Sequence, residues 1–224
     1  MKFLLFFSLF LFGVSSCIEI IDDIAINEDG SGTFKYSINL SSSKVKINSA
    51  LALDSLDGKK VPSIEEISRI ADRVVSLLKS QEGISNVNFS SNYTDFVFKL
   101  ECDFSSIDRL QEVIRTLILS ESKQKDIPEL DTPWIAYHDD KLVRSIPTIT
   151  IKKAAEINRP DIDLLKSGKY TSITRFQKDV TKMENPAGII SKNKKAVMVR
   201  ATPYSLIQNP KLLDNTIFLV KTGL

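Results

Sequence analysis

Two stretches of this chain alternate between apolar and polar side chains, the first strictly and the second with Val97 as the exception. In residues 33–40, Phe34, Tyr36, Ile38 and Leu40 fall on one side, with Lys35, Ser37 and Asn39 on the other. In residues 95–104, Phe96, Phe98, Leu100, Cys102 and Phe104 oppose Lys99, Glu101 and Asp103. A period of two with one apolar side predicts half-buried antiparallel strands. A shorter stretch of the same kind precedes each. Residues 18–27 put Ile20, Ile24 and Ile26 on one face, and the Asp29-Gly30 step behind them predicts a hairpin turn. Residues 84–91 put Val87 and Phe89 together, with a turn at Ser91-Asn92-Tyr93.

After each hairpin the period changes to that of a helix. Ser63-Ile64-Glu65-Glu66 is a capping box, followed by Ile67, Ile70, Ala71, Val74, Leu77 and Leu78, with Gly83 as a stop. Ser105 and Ser106 open a second helix whose inner stripe is Ile107, Leu110, Ile114, Leu117 and Ile118. A less regular helix is expected from a cap at Ser41, Ser42 or Ser43 to about Leu56. Hairpin then helix thus occurs over residues 18–81 and again over 84–120. The expected fold is α+β: an antiparallel sheet built from a ββα–ββα pseudo-repeat with helices on one face. A strand-rich C-terminal part follows. Its expected elements are a hairpin from Trp134 to Ile151 turning at Asp139-Asp140-Lys141, a helical turn over 161–167, and strands over 170–180, 195–202 and 216–220. Residues 120–133 and 183–194 read as polar loops. Residues 17–130 form the ββα–ββα core, and 131–224 either extend the same domain or make a small second layer.

The first sixteen residues follow neither period. Lys2 precedes an apolar run over 3–12, then small residues and Cys17, the order of a secretory signal peptide. The run is too short for a bilayer-spanning helix, which needs about 20 residues. The segment Val14-Ser15-Ser16-Cys17 resembles the lipobox of bacterial lipoproteins. The resemblance implies that residues 1–16 are a signal peptide cut before Cys17, that Cys17 is lipidated and that acyl chains such as palmitate hold the body to a membrane of the cell envelope. Ile18 stands where an Asp would signal retention in lipoproteins of this kind, which implies the outer membrane. Richness in Lys, Ile, Asn and Ser is similar to that of uncharacterised Bacteroidota lipoprotein families.

Composition narrows the function classes. Thirty basic residues against 28 acidic ones leave no broad basic face for nucleic acid. With Cys17 lipidated, Cys102 has no disulfide partner, so packing alone must stabilise the body. The lone histidine, His138, precedes Asp139 and Asp140 without a second ligand at metal spacing, and reads as a solvated turn residue. Cys102, between Leu100 and Phe104, reads as buried and inert. Gly30-Ser31-Gly32 joins two strands and lacks a phosphate-loop ending. Asp22, Asp23, Glu28 and Asp29 read as a solvated strand edge and turn, without calcium-loop spacing. Lys192, Lys194 and Lys195 with Arg200 read as a solvated loop, or as a patch for anionic headgroups. Phe34, Tyr36, Phe96, Phe98 and Phe104 read as core, or as the lining of an apolar cavity. No catalytic residue, metal or cofactor is assigned. The expected partner is a membrane, through Cys17; no protein partner is identified. The expected function is non-catalytic binding or scaffolding at the cell envelope. The alternatives are carriage of a lipid or apolar ligand between sheet and helices, and an enzyme with an unrecognised site.

Overall fold

The computed structural model describes residues 18–56, 58–122, 127–146 and 164–221. The first hairpin is β1 (Glu19–Ile26) and β2 (Gly32–Asn39), paired in register from Glu19 opposite Asn39 to Ile26 opposite Gly32. Gly30 makes the expected turn at φ +83°. Gly32 is required by close approach: a Cβ there would lie 1.9 Å from the Ala25 carbonyl oxygen and 2.6 Å from the Phe104 ring.

A 3-10 turn at Ser41–Ser43 then leads into α1 (Lys44–Leu51). This helix is shorter than the sequence suggests. No serine side chain caps it, none of its residues is buried, and the chain beyond it folds into the small hairpin β3 (Ser55–Leu56) and β4 (Lys59–Lys60). The irregular apolar positions of residues 45–53 give a helix nothing to bury, so it stops early.

α2 (Ile64–Lys79) carries the predicted box: Ser63 Oγ accepts from Glu66 N, and Glu66 accepts from Ser63 N at 2.9 Å. β5 (Ile84–Asn92) and β6 (Val97–Phe104) form the second hairpin. A bulge between Ser85 and Asn88 puts Asn86 at φ +51°, from where its amide donates to Asp103. Phe96 departs from its expected place at the head of β6. It lies in the turn at φ +53°, is buried, and its carbonyl accepts from Leu40 N. α3 (Ile107–Ser122) opens where Ser106 Oγ accepts from Arg109 N.

The remaining strands divide between two sheets. β7 (Ile135–His138) and β8 (Lys141–Arg144) turn on Asp139 and Asp140, both with positive φ, which suits the right-handed twist of the strands they join. The long strand expected over 170–180 is two: β9 (Lys169–Phe176) and β10 (Val180–Met183), which lie in different sheets. The region expected to be a polar loop after Met183 holds β11 (Gly188–Ile190), paired to β12 (Ala196–Ala201). A further helix, α4 (Pro203–Gln208), has a capping box between Thr202 and Ser205 that was not anticipated, and β13 (Asn215–Leu219) ends the described fold. Residues 164–167 are a helical turn; the expected hairpin beyond 146 and the rest of the expected helical turn fall outside the described residues.

The larger sheet has the order β11-β12-β9-β1-β2-β6-β5. All its described pairings are antiparallel except that of β1 with β9. The smaller sheet, β10-β13-β8-β7, packs on one face of it beside α3. The C-terminal part therefore both extends the first sheet and supplies a second layer. The core lies between the layers: Ile24, Ile26, Phe104, Phe176 and Val197 from the large sheet meet Ile135, Leu142, Val180, Ile217 and Leu219 from the small one, with Ile107 and Leu110 of α3 closing the side. Gln111 of α3 accepts from the Trp134 and Ile135 amides, fixing the helix to the start of β7.

Burial follows position along the strands. At the distal end, where Ile26, Gly32, Phe104 and Phe176 stand abreast, the inward row is fully covered. At the proximal end, where β1 begins, Ile20, Ile38 and Phe98 share the same face but remain half-exposed. Phe104→Ala should destabilise the protein by about 3–5 kcal/mol, and Phe98→Ala by less. Urea unfolding of the two variants checks this; equal costs would contradict the placement of the core at the distal end.

Candidate functional site

The chemistry that stands out lies between the two sheets. Asp22 belongs to the inward row of β1, level with Tyr36 of β2 and Ser172 of β9. The sequence places Asp22 at a solvated strand edge; the structure instead buries it, at 4% exposure, because β1 is an interior strand with β2 on one side and β9 on the other. Arg144 reaches it from β8, two residues beyond Leu142 on the inward face of the small sheet. Arg144 Nη2 donates to Asp22 Oδ2 at 2.8 Å, Arg144 Nη1 donates to Ser172 Oγ at 2.5 Å, and Tyr170 Oη donates to Asp22 Oδ2 at 2.5 Å. Burial pushes the Asp22 carboxyl up, but the charge and hydrogen bond of Arg144 outweigh it and hold the group below its ordinary 3.8. Burial, reinforced by the charge of Asp22, pushes the Tyr170 phenol far above its usual range, so it stays a donor. Among the described residues, Asp22 Oδ1 and Arg144 Nε have no hydrogen-bond partner. The cluster is a structural clamp whose charges compensate one another.

A second feature is an acidic cleft of about 430 Å³ at the distal end, lined by Glu28, Asp29, Asp108, His138, Asp139 and Asp140 among others. Three turns meet there: the β1–β2 hairpin, the start of α3, and the β7–β8 hairpin. Asp139 and Asp140 both line this cleft because they are the two turn residues. Two of these carboxylates are engaged. Asp29 accepts from the Ser31 hydroxyl and amide, which lowers its pKa, and Asp140 pairs with Lys178 at 2.5 Å. His138 is exposed, and among the described residues no hydrogen bond joins it to a carboxylate. No group of three or more His, Cys, Asp or Glu among the described residues is placed to hold a metal ion.

Other residues singled out in the sequence fall as follows. Cys102 is 1% exposed, and burial pushes its thiol up to about 11, so it is not a nucleophile at neutral pH. The cationic run does not gather into a patch. Lys195 is spent on Asp179 and the Gln177 carbonyl, while Arg200 stands at the opposite end of β12. Of the aromatic face, Phe96 and Phe104 are buried, and Phe34, Tyr36 and Phe98 are half-buried. The opposite face of the sheet carries a shallow groove of about 330 Å³ among Asp23, Lys35, Asn88, Ser90, Lys99 and Glu101. Gly30-Ser31-Gly32 joins β1 and β2 as expected. Cys17 and the segment before it fall outside the described residues. Arg144 was not singled out; the available signal was Asp22 itself, an acid at an inward position of an apolar strand.

No protein-family model matches this chain, and no curated protein does. Among solved structures, the chain is similar to the NMR structure of the folded domain of the Mycobacterium tuberculosis protein LppM, with 10% identity over 96% of each chain and a TM-score of 0.42.

Breaking the clamp on one side leaves a buried charge behind. Arg144→Leu or Asp22→Leu alone should cost about 3–5 kcal/mol, and the double variant less than either. Chemical denaturation of the three variants measures the coupling. Since the folded carboxyl of Asp22 titrates below its unfolded value, the stability it contributes is complete above pH 3.8 and is lost as pH falls through the lower folded value. The unfolding midpoint of the native protein should therefore drop more steeply below that pH than that of the double variant.

Proposed function

We propose that this chain is a lipid-anchored cell-envelope protein, acylated at Cys17, whose α+β body binds or scaffolds at the membrane surface without catalysis. One observation carries the reading: Val14-Ser15-Ser16-Cys17 closes an apolar leader immediately before the first residue of the fold. The leader thus ends where the body begins, as a cleavage and attachment point requires. Among the described residues no helix is long and apolar enough to cross a membrane, so in this reading attachment is the work of acyl chains. Each buried methylene contributes about 0.8 kcal/mol, one chain holds marginally, and two give stable anchoring. Outer-membrane residence is part of the proposal and rests on Ile18 following the cysteine.

Non-catalytic work is supported by the state of the reactive groups. The Cys102 thiol is buried and its pKa raised, His138 stands exposed with no hydrogen bond to a carboxylate among the described residues, and Asp22, Arg144 and Tyr170 are tied to one another. A second reading, carriage of an apolar ligand, is favoured by the half-buried Ile20, Tyr36, Ile38, Phe98 and Leu100 at the proximal end of the sheet face that meets α3. Mass spectrometry of lipid extracted from protein purified without detergent separates the two readings: a clean extract removes the carrier.

Cys17→Ala should abolish acylation and leave the precursor uncut by the lipoprotein peptidase. Intact-mass measurement and detergent-phase partition read both effects. A variant that partitions like the native protein would refute the anchor.

A further inference from the structure

Beyond the proximal end of the sheet, four apolar side chains take no part in the core. Val45, Leu53, Leu56 and Ile64 are all exposed, Val45 at 79%, and all four lie in the excursion between the end of β2 and the first turn of α2. That excursion is attached beside the start of β1. Asn39, which ends β2, is the register partner of Glu19, which begins β1.

The chain has no slack at this point. Ile18 is buried, its carbonyl accepts from Lys169 N at 2.6 Å, and β1 runs from Glu19. A residue spans at most about 3.8 Å between successive Cα atoms. In sequence, Cys17 is bonded directly to Ile18 and is one residue short of β1. A body on a long tether is free to keep its distance from a bilayer, but one whose anchor lies a single residue from an interior strand is not. The strand end that Cys17 precedes is thus the same end from which β2 leads into α1 and the β3–β4 hairpin. Two basic residues, Lys46 of α1 and Arg200 near the end of β12, are exposed toward the same end and suit anionic headgroups.

We infer that α1 and the β3–β4 hairpin rest in the headgroup layer of the membrane that anchors the chain, with Val45, Leu53 and Leu56 in contact with lipid. The sheet's strands then stand away from the bilayer, and the acidic cleft at the distal end faces the aqueous phase. This inference rests on acylation at Cys17.

The test uses the full chain, processed and acylated in its host and reconstituted into vesicles of phosphatidylethanolamine and phosphatidylglycerol. Nitroxide labels are placed through Val45→Cys and Leu53→Cys, and at the distal end through Lys192→Cys, all at exposed positions. Acylation occupies the Cys17 sulfur, and Cys102 is buried, so the label goes to the new thiol. Labels at 45 and 53 should collide more with oxygen than with a water-soluble nickel chelate, and the label at 192 should show the reverse. Equal access to the chelate at all three sites, with the acyl groups present by intact mass, would overturn the docking surface and leave the anchor standing. Absence of acyl groups on Cys17 would overturn both. Shielding at 45 and 53 with dipolar broadening between labels would assign the surface to a second copy of the chain, and would also overturn the proposal.

Discussion

A carboxylate inside a β-sandwich must be compensated, and this constraint shapes the junction of the two sheets. Asp22 occupies an inward position of β1, which lies between β2 and β9 in the seven-stranded sheet. Its charge is met by Arg144 from β8, which lies between β13 and β7 in the four-stranded sheet. An unpaired buried charge costs several kcal/mol, so a slide of one sheet over the other that separated the two side chains is strongly penalised. Hydrophobic contact between the layers is far less particular about register. The ion pair therefore discriminates among packings that the apolar residues alone would leave close in energy.

β1 also joins the local and the long-range parts of the fold. Toward β2 it makes a tight antiparallel hairpin; toward β9 it pairs in parallel with a strand about 150 positions later in the chain. Closing so long a loop is entropically costly and slow, so β1 is expected to be secured by its hairpin before β9 docks. The residue proposed to hold the membrane anchor is attached to this strand, with its proximal end half-exposed and its distal end in the core. Mechanical load on the anchor would thus be carried by the sheet itself and not by a peripheral loop.

Much of the architecture could be read in advance where a residue's neighbours in sequence are also its neighbours in space. The hairpin at Asp29-Gly30, the box at Ser63 and Glu66, the opening of α3 at Ser106 and the inward row ending at Phe104 are all of this kind. Errors arose where that ceased to hold. The single strand expected over 170–180 serves two sheets, so it breaks after Phe176. Phe96 looked like one more inward strand residue, yet it closes a turn at positive φ because Leu40 takes its carbonyl. Residues 183–194 read as a polar loop, but within them Gly188–Ile190 pair with the edge that β12 offers.

The sequence by itself determined the alternation of strand and helix, the two hairpin–helix units and the burial of Cys102, because each depends on spacing within one segment. Only the tertiary structure decided that Asp22 is buried, that Arg144 neutralises it, and that the C-terminal half contributes to both sheets. Those facts depend on which strands lie side by side. Pairings across 120 to 150 residues leave no periodic trace in the segments that make them.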